Sequence, residues 1–337
     1  MSTTVSRCLV VGSGSIARRH IANLRQLLPR AEVACVSASG RSIPLGETAA
    51  TICLTSFDEA LAWQPELAVV ASPAPLHLDH AVALLETGIA VLIEKPLSDS
   101  LSRYGALATR LEPWRDRIEV AYNLRFLSSC RRMRMLLHEN VVGRLHSVHI
   151  DLGQYLPDWR PGSDYRRNVS ANRSLGGGVL LELSHEFDYL THLFGRFDRV
   201  FCVIGQSDLL EIDVEDRADI LLTRADGLVA QLHMDFLQRK ATRRCKVIGE
   251  HGNLLWDLVA NSITLETSFR EEVLFSEPDV DRNAMYLELL SGFIDLAQGR
   301  AAPRITYEDG LAVLAMVDAM RQSAKTGLPV QLSSVSQ

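Results

Sequence analysis

No apolar run in this 337-residue chain approaches the ~20 residues needed to cross a bilayer. The opening "MSTTVSRCLVVGSG" passes into a short strand and a glycine turn without the apolar core of a secretory leader, which places the expected location in the cytoplasm. Basic residues are in deficit, 35 Lys and Arg against 41 Asp and Glu, for a net charge of -6. That balance removes the electrostatic basis for general nucleic-acid or membrane-surface binding. The six cysteines, Cys8, Cys35, Cys53, Cys130, Cys202 and Cys245, lack the paired spacing of a zinc site or a small disulfide framework, so they read as reduced core thiols and no metal is expected. Internal repeats, low-complexity tracts and long flexible linkers are also missing. What is present is ordinary: 47% hydrophobic residues is ample for sizeable cores, and the length suggests about two domains.

The first third alternates short β-rich runs, "RCLVV", "AEVACV", "ATICL", "ELAVVA", "IAVLIE" and "IEVAY", with helical patterns. This predicts a parallel, doubly wound α/β domain over residues 1–123. After Asn123 the pattern changes. A basic amphipathic stretch leads to the strand "LHSVHIDLGQY", and from about Phe197 to Phe275 strand-like segments follow one another directly. An α+β domain over 124–305 with a large, mostly antiparallel open sheet is expected. The helix and tail of 306–337 are expected to pack back on the first domain.

"VVGSGSIARRH" places Gly12 and Gly14 after the first strand, with Ala17 at the third small position of a G-x-G-x-x-G/A pattern. Such glycines permit a tight turn and close backbone approach, and the helix opened by Ser15 and Ile16 offers N–H groups to a pyrophosphate. An acid about 20 positions on would bind the ribose hydroxyls of NAD, but that position is Ser37, followed by Ser39 and Arg41. NADP is therefore the preferred expectation, NAD the alternative.

"GGGVLLELSHEFD" raises a different question. At about 100° per residue, Val179, Leu180, Leu183, Phe187, Leu190 and Phe194 share one side of a helix, and Glu182, His185, Asp188 and His192 another. Either this is a solvated face, or it turns an imidazole between two carboxylates into a cleft, as acid–base chemistry needs. The three glycines either let the helix start close to a ligand or form a packing turn.

Further stretches carry a resemblance. "ASPAPLHLDHA" follows the fourth strand, "LIEKPLS" ends the fifth, "YNLRF" follows the sixth, and "YEDGLAVLAMVDAMRQSAKTGLPV" closes the chain. With the glycine turn and the "GGG...H..D" helix, they resemble the Gfo/Idh/MocA oxidoreductases along nearly the whole chain. The resemblance implies a Rossmann domain, then an α+β domain whose open sheet builds homodimers or homotetramers, with the nicotinamide at their junction. It implies that Lys95 reaches the substrate oxygen and the nicotinamide ribose, and that Glu94 and Pro96, the latter in a cis peptide, flank it. Ser72, Pro73 and His77 match the segment beside the cofactor, Asn123 the crossover, and His185 the proton-exchanging histidine. The family's aspartate four residues before that histidine is Leu181 here, which leaves Glu182 or Asp188 to orient the ring.

Removing a hydride from a carbinol carbon leaves a proton on oxygen to be taken and alkoxide charge to be stabilised, tasks that suit a histidine and a lysine. The expected enzyme is an NAD(P)-dependent sugar dehydrogenase or reductase. An NAD-dependent redox glycosidase and a non-enzymatic redox sensor are the alternatives. The loop "GQYLPDWRPGSDYRRNVSANRSLGGG" offers Trp159 and Tyr165 to stack on a sugar and Arg166 and Arg167 to meet an anion, with Arg125 a further substrate candidate. It points to an acidic or nucleotide-linked sugar unless it is an oligomer arm.

Overall fold

The computed structural model describes residues 5–44 and 46–332. Six strands, β1 (Arg7–Val11), β2 (Glu32–Val36), β3 (Ile52–Leu54), β4 (Leu67–Val70), β5 (Ala90–Ile93) and β6 (Ile118–Val120), form one sheet in the order β3-β2-β1-β4-β5-β6. Every neighbouring pair is parallel. This is the doubly wound order that binds dinucleotides where the strand sequence reverses, between β1 and β4. β4 and β5 are buried at every position, as a sheet covered on both faces requires. The connecting helices are α1 (Ser15–Leu27), α2 (Phe57–Ala62), α3 (His77–Leu85) and α4 (Leu101–Leu111). α1 turns Ala17, His20, Ile21, Asn23 and Leu24 inward at helical spacing, and the pattern places a histidine and an asparagine among apolar residues.

The second sheet collects β7 (Leu145–Gly153), β8 (Arg199–Gly205), β9 (Arg217–Thr223), β10 (Val229–Asp235), β11 (Thr242–Gly249), β12 (Asn253–Asp257), β13 (Ser262–Glu266), β14 (Glu271–Ser276) and β15 (Val330–Gln331). Its order is β14-β13-β12-β11-β7-β10-β9-β8-β15, antiparallel throughout except for the β7/β10 pair. Along β9, Ala218, Ile220 and Leu222 are buried while Arg217, Asp219 and Leu221 are exposed, the alternation of a sheet with one open face. Helices α5 (Ser128–His138), α6 (Val179–Glu182) and α7 (His185–Phe194) belong to this unit. Trp256 of β12 donates its Nε1–H to Ser129 Oγ on α5 at 2.9 Å and meets Tyr189 of α7 edge-on at 5.1 Å.

The two compact units are Met1–Asn123 with Arg282–Leu314, and Leu124–Asp281 with Ala315–Gln337. Helix α8 (Ala284–Ala297) thus groups with the parallel sheet, not with 124–305 as the sequence suggested. The reason is its packing on α1, where the side-chain amides of Asn23 and Asn283 bond reciprocally at 3.1 and 2.8 Å. Residues up to Leu314 of α9 (Tyr307–Thr326) group with the same unit. Its second half and β15 do not, because Val330 pairs with Val200 of β8. Residues 1–4 and 333–337 of the expected segments lie outside the described residues.

Candidate cofactor and active site

The β1–α1 turn gives its two glycines different work. Gly12 has φ +124°, a region that side chains rarely enter, and a Cβ there would lie 2.4 Å from the Ala71 carbonyl oxygen. Its N–H donates to Val36 O at 2.8 Å, tying the turn to β2. Gly14, at the N-cap of α1, has φ -70°, and a Cβ there would meet nothing within 4 Å. Ser15 and Ile16 follow in the first turn, before the helical ladder begins with Arg18 N–H to Gly14 O at 3.0 Å. A closed glycine, an open glycine and first-turn N–H donors fit the pyrophosphate of a dinucleotide. Beyond β2, Ser37 is buried, its Oγ 3.2 Å from that of Ser39. Arg41 places its guanidinium on Ser13 Oγ at 2.9 Å and on the Glu47 carboxylate at 2.6 and 3.1 Å.

The ends of β4 and β5 are pinned by one imidazole. Pro73 caps the turn Ala74–Leu76, and the fully buried His77 reaches Ser72 O at 2.7 Å with Nε2 and Pro96 O at 2.8 Å with Nδ1. Burial holds the His77 pKa below the ordinary histidine value, so the neutral ring shares one N–H between two carbonyls through its tautomers. His77 thus fastens the Ser72 segment to the Glu94–Pro96 turn by backbone bonds. The Lys95–Pro96 peptide is cis, matching the expectation from the resemblance. Glu94 is buried behind this turn: Oε1 accepts from His20 Nε2 at 2.6 Å and Oε2 from the Lys95 N–H at 3.2 Å. Lys95 is partly buried and Asn123 is buried at the start of a 3-10 turn.

In the second unit the helix expected across "VLLELSHEFD" is broken. α6 stops at Glu182, Leu183 leaves the helical region at φ -96° and ψ 21°, and α7 restarts at His185. A continuous helical wheel therefore does not relate Glu182 to His185. Glu182 Oε2 accepts from Ser170 Oγ at 3.0 Å. His185 is the partly buried first residue of α7, while Glu186 and Asp188 in the same turn are fully buried. Each acid lies in the fork of an arginine. Arg125 reaches Asp188 at 2.6 to 3.1 Å, and Arg243 reaches Glu186 at 2.8 and 2.9 Å. The polar side of α7 is thus not a solvated face at Asp188, and Arg125 is committed to that acid. Two of the three glycines are packed against the protein: a Cβ on Gly177 would meet Val169 O at 2.3 Å, and one on Gly178 would meet the Glu215 carboxylate.

The arginine loop also binds itself. Tyr165 OH donates to Leu210 O at 2.8 Å and Trp159 Nε1–H to Gln154 O at 3.1 Å. Arg166 spans Asp164 and Glu211, both at 2.9 Å. Arg167 is exposed and makes no ion pair with any described residue. Four partners escaped the sequence reading. His20 was detectable as a polar residue, with Asn23, on the inward face of α1, whereas Glu47, Glu186 and Arg243 carry no local pattern that marks them.

A parallel sheet in this strand order with such a glycine turn defines a dinucleotide-binding α/β protein. Residues 6–122 match the oxidoreductase family with an NAD-binding Rossmann fold, and residues 130–255 match the GFO/IDH/MocA C-terminal domain. The chain belongs to the Gfo/Idh/MocA oxidoreductases and is an NAD(P)-dependent enzyme of CH–OH chemistry. It is 25% identical to 1,5-anhydro-D-fructose reductase of Ensifer adhaerens, over 98% of this chain and 99% of that one. It is 25% identical to D-xylose 1-dehydrogenase (NADP(+)) 2 of Haloferax volcanii, over 81% and 83%. The structure of the WlbA dehydrogenase from Bordetella pertussis in complex with NADH and UDP-GlcNAcA superposes with a TM-score of 0.81 at 22% identity, covering 98% of this chain and 99% of that one.

Proposed function

We propose that this enzyme interconverts a carbinol and a carbonyl on an acidic or nucleotide-linked sugar, with NADP preferred over NAD. The observation that carries the cofactor side is the contrast between Gly12, closed by the protein, and Gly14, open to a ligand. When bound, the nicotinamide supplies hydride transfer at the carbinol carbon. This chain's residues must then manage one oxygen. We assign Lys95, on the turn clamped by His77 and Glu94, to stabilise charge on that oxygen, and His185 to exchange its proton. Asp188, immobilised by Arg125, is better placed than Glu182 to orient His185: it shares α7's first turn, whereas the break at Leu183 separates Glu182 from it. Arg167 is the loop cation we assign to the anionic substrate, because Arg166 is held by two carboxylates. The anhydrofructose and xylose enzymes among the relatives support a sugar, and the UDP-GlcNAcA complex of WlbA supports an anionic one. We further assign the open face of the nine-stranded sheet to self-association.

The direct test replaces Lys95 and His185 by alanine and follows cofactor absorbance with a panel of sugars, sugar acids and nucleotide sugars. Each variant is expected to lose roughly 100-fold or more in turnover, the usual contribution of a positioned acid–base group, with cofactor affinity little changed. A His185→Ala enzyme that turns over at near the wild-type rate overturns the assignment. Arg167→Gln is expected to raise KM for the anionic substrate while leaving kcat nearly unchanged.

A further inference from the structure

Glu47 occupies a position that neither the glycine turn nor the β2 terminus explains. Its carboxylate lies between two guanidiniums, Arg41 at 2.6 and 3.1 Å and Arg18 at 3.1 Å. Both arginines are also tied to Ser13 of the glycine turn, Arg41 through Ser13 Oγ at 2.9 Å and Arg18 through Ser13 O at 3.1 Å. The cluster therefore stands over the β1–α1 turn and beside Ser37 and Ser39, where the adenosine ribose lies in this fold. We propose that Glu47 is an internal stand-in for the 2'-phosphate of NADP: it neutralises Arg41 and Arg18 when the phosphate is absent, yields them when it binds, and so limits the enzyme's discrimination between NADP and NAD. The inference rests on the reading that Arg41 meets the 2'-phosphate.

The chemistry favours an exchange over a fixed ion pair. The carboxylate presents two oxygens to the guanidiniums, and a phosphate presents three with up to twice the charge. Glu47 is about a quarter exposed and its two partners about half exposed, so the ion pairs are shared with solvent and cost little to break. The Arg41 fork holds the Glu47 carboxyl below the usual carboxylate range, so Glu47 remains anionic and competes with the phosphate at neutral pH. It also supplies, from ten residues beyond Ser37, the carboxylate that the end of β2 lacks.

The test is fluorescence titration of the intact protein with NADPH and with NADH, in wild type, Glu47→Gln, Arg41→Ala and Arg18→Ala. Glu47→Gln is expected to bind NADPH about 3- to 10-fold more tightly, the scale of two exposed ion pairs released, and NADH within about twofold of wild type. Each arginine variant is expected to weaken NADPH and spare NADH. Unchanged NADPH affinity in Glu47→Gln, alongside a loss in Arg41→Ala, overturns the stand-in while leaving the Arg41 reading intact. No loss in Arg41→Ala overturns both. A Glu47→Gln protein that loses NADH affinity also overturns the proposal, since Glu47 would then be a ribose ligand. Glu47 sits in an exposed turn, and circular dichroism melts check that all four proteins are folded.

Discussion

The buried carboxylates Asp188, Glu186 and Glu119 meet the loss of water in two ways. Asp188 and Glu186, both fully buried, lie in arginine forks whose paired N–H bonds offset the cost of removing a charge from water. Glu119 on β6 is equally buried, but the nearest guanidinium nitrogen, Arg304 Nε, is 3.8 Å away, beyond hydrogen-bond reach. Burial therefore raises its carboxyl to about 7, with Arg304 opposing only in part. The native state keeps this proton up to about pH 7, while the unfolded chain releases it near 4.5. Stability accordingly falls as pH rises from 4.5 to 7, and the penalty is complete above 7. Glu119→Gln removes the titration: its melting temperature is expected to match wild type near pH 4 and exceed it at pH 8, by an amount equivalent to at most ~3 kcal/mol. Melts of both proteins across this range check it, and a difference that does not grow with pH refutes it. None of this was legible in the sequence. Arg125 lies 63 residues from Asp188 and Arg243 57 from Glu186, so only the fold pairs them.

At the β1–α1 turn, strand, turn and helix impose separable demands on neighbouring glycines. Gly12→Ala would force a side chain to φ +124° and into the Ala71 carbonyl, which is expected to cost ~1–3 kcal/mol in backbone strain before the overlap is counted. Gly14→Ala meets neither obstacle and is expected to melt within ~0.5 kcal/mol of wild type. It would still place a methyl group where the pyrophosphate approaches, and NADPH affinity is expected to fall about tenfold or more, ~1.4 kcal/mol. Melting curves and titrations on the pair separate folding from binding; a Gly14→Ala protein that binds NADPH normally would remove the pyrophosphate from this turn. The turn was legible because its pattern is local, as were the six parallel strands, whose unbroken apolar runs reflect burial on both faces. The break between α6 and α7 was not. The helical wheel assumes continuity, and Leu183 breaks it at φ -96° and ψ 21° with no glycine or proline between Val179 and Asp188 to mark the place.

The nine-stranded sheet was legible as a run of consecutive alternating strands, but the parallel pairing of β7 with β10 and the recruitment of β15 were not, since both join segments far apart in the chain. One face of the sheet packs on its helices, and the other leaves large apolar side chains in water: Val203 is 52% exposed, Leu221 37% and Val273 63%. Leu221 and Phe201 are register partners across β8 and β9, so their side chains form a continuous outward patch. Next to it, His233 lies between Asp219 of β9 at 2.7 Å and Asp235 of its own strand at 2.9 Å, and Asp151 of β7 is its register partner on the other side. Burial lowers the His233 pKa, but the two bonded carboxylates outweigh it and leave the value above that of an ordinary histidine. As pH rises through that raised value the imidazolium is lost, and only Arg217, register partner of Asp235, and Arg244, register partner of Asp151, are left to offset the three acids. In a two-fold pairing each patch meets its own copy, so acid faces acid and the repulsion grows with pH. A homo-oligomer built on this face is therefore expected to be tightest below the His233 pKa and to loosen at alkaline pH. Leu221→Lys with Val203→Lys is expected to shift the molecule to monomer at every pH without changing nucleotide affinity. Light scattering coupled to size exclusion, run on wild type and the double variant at pH 6 and 9, decides it. Wild-type protein that is monomeric at pH 6, or a double variant that keeps the wild-type mass, would show that this face does not join copies of the chain.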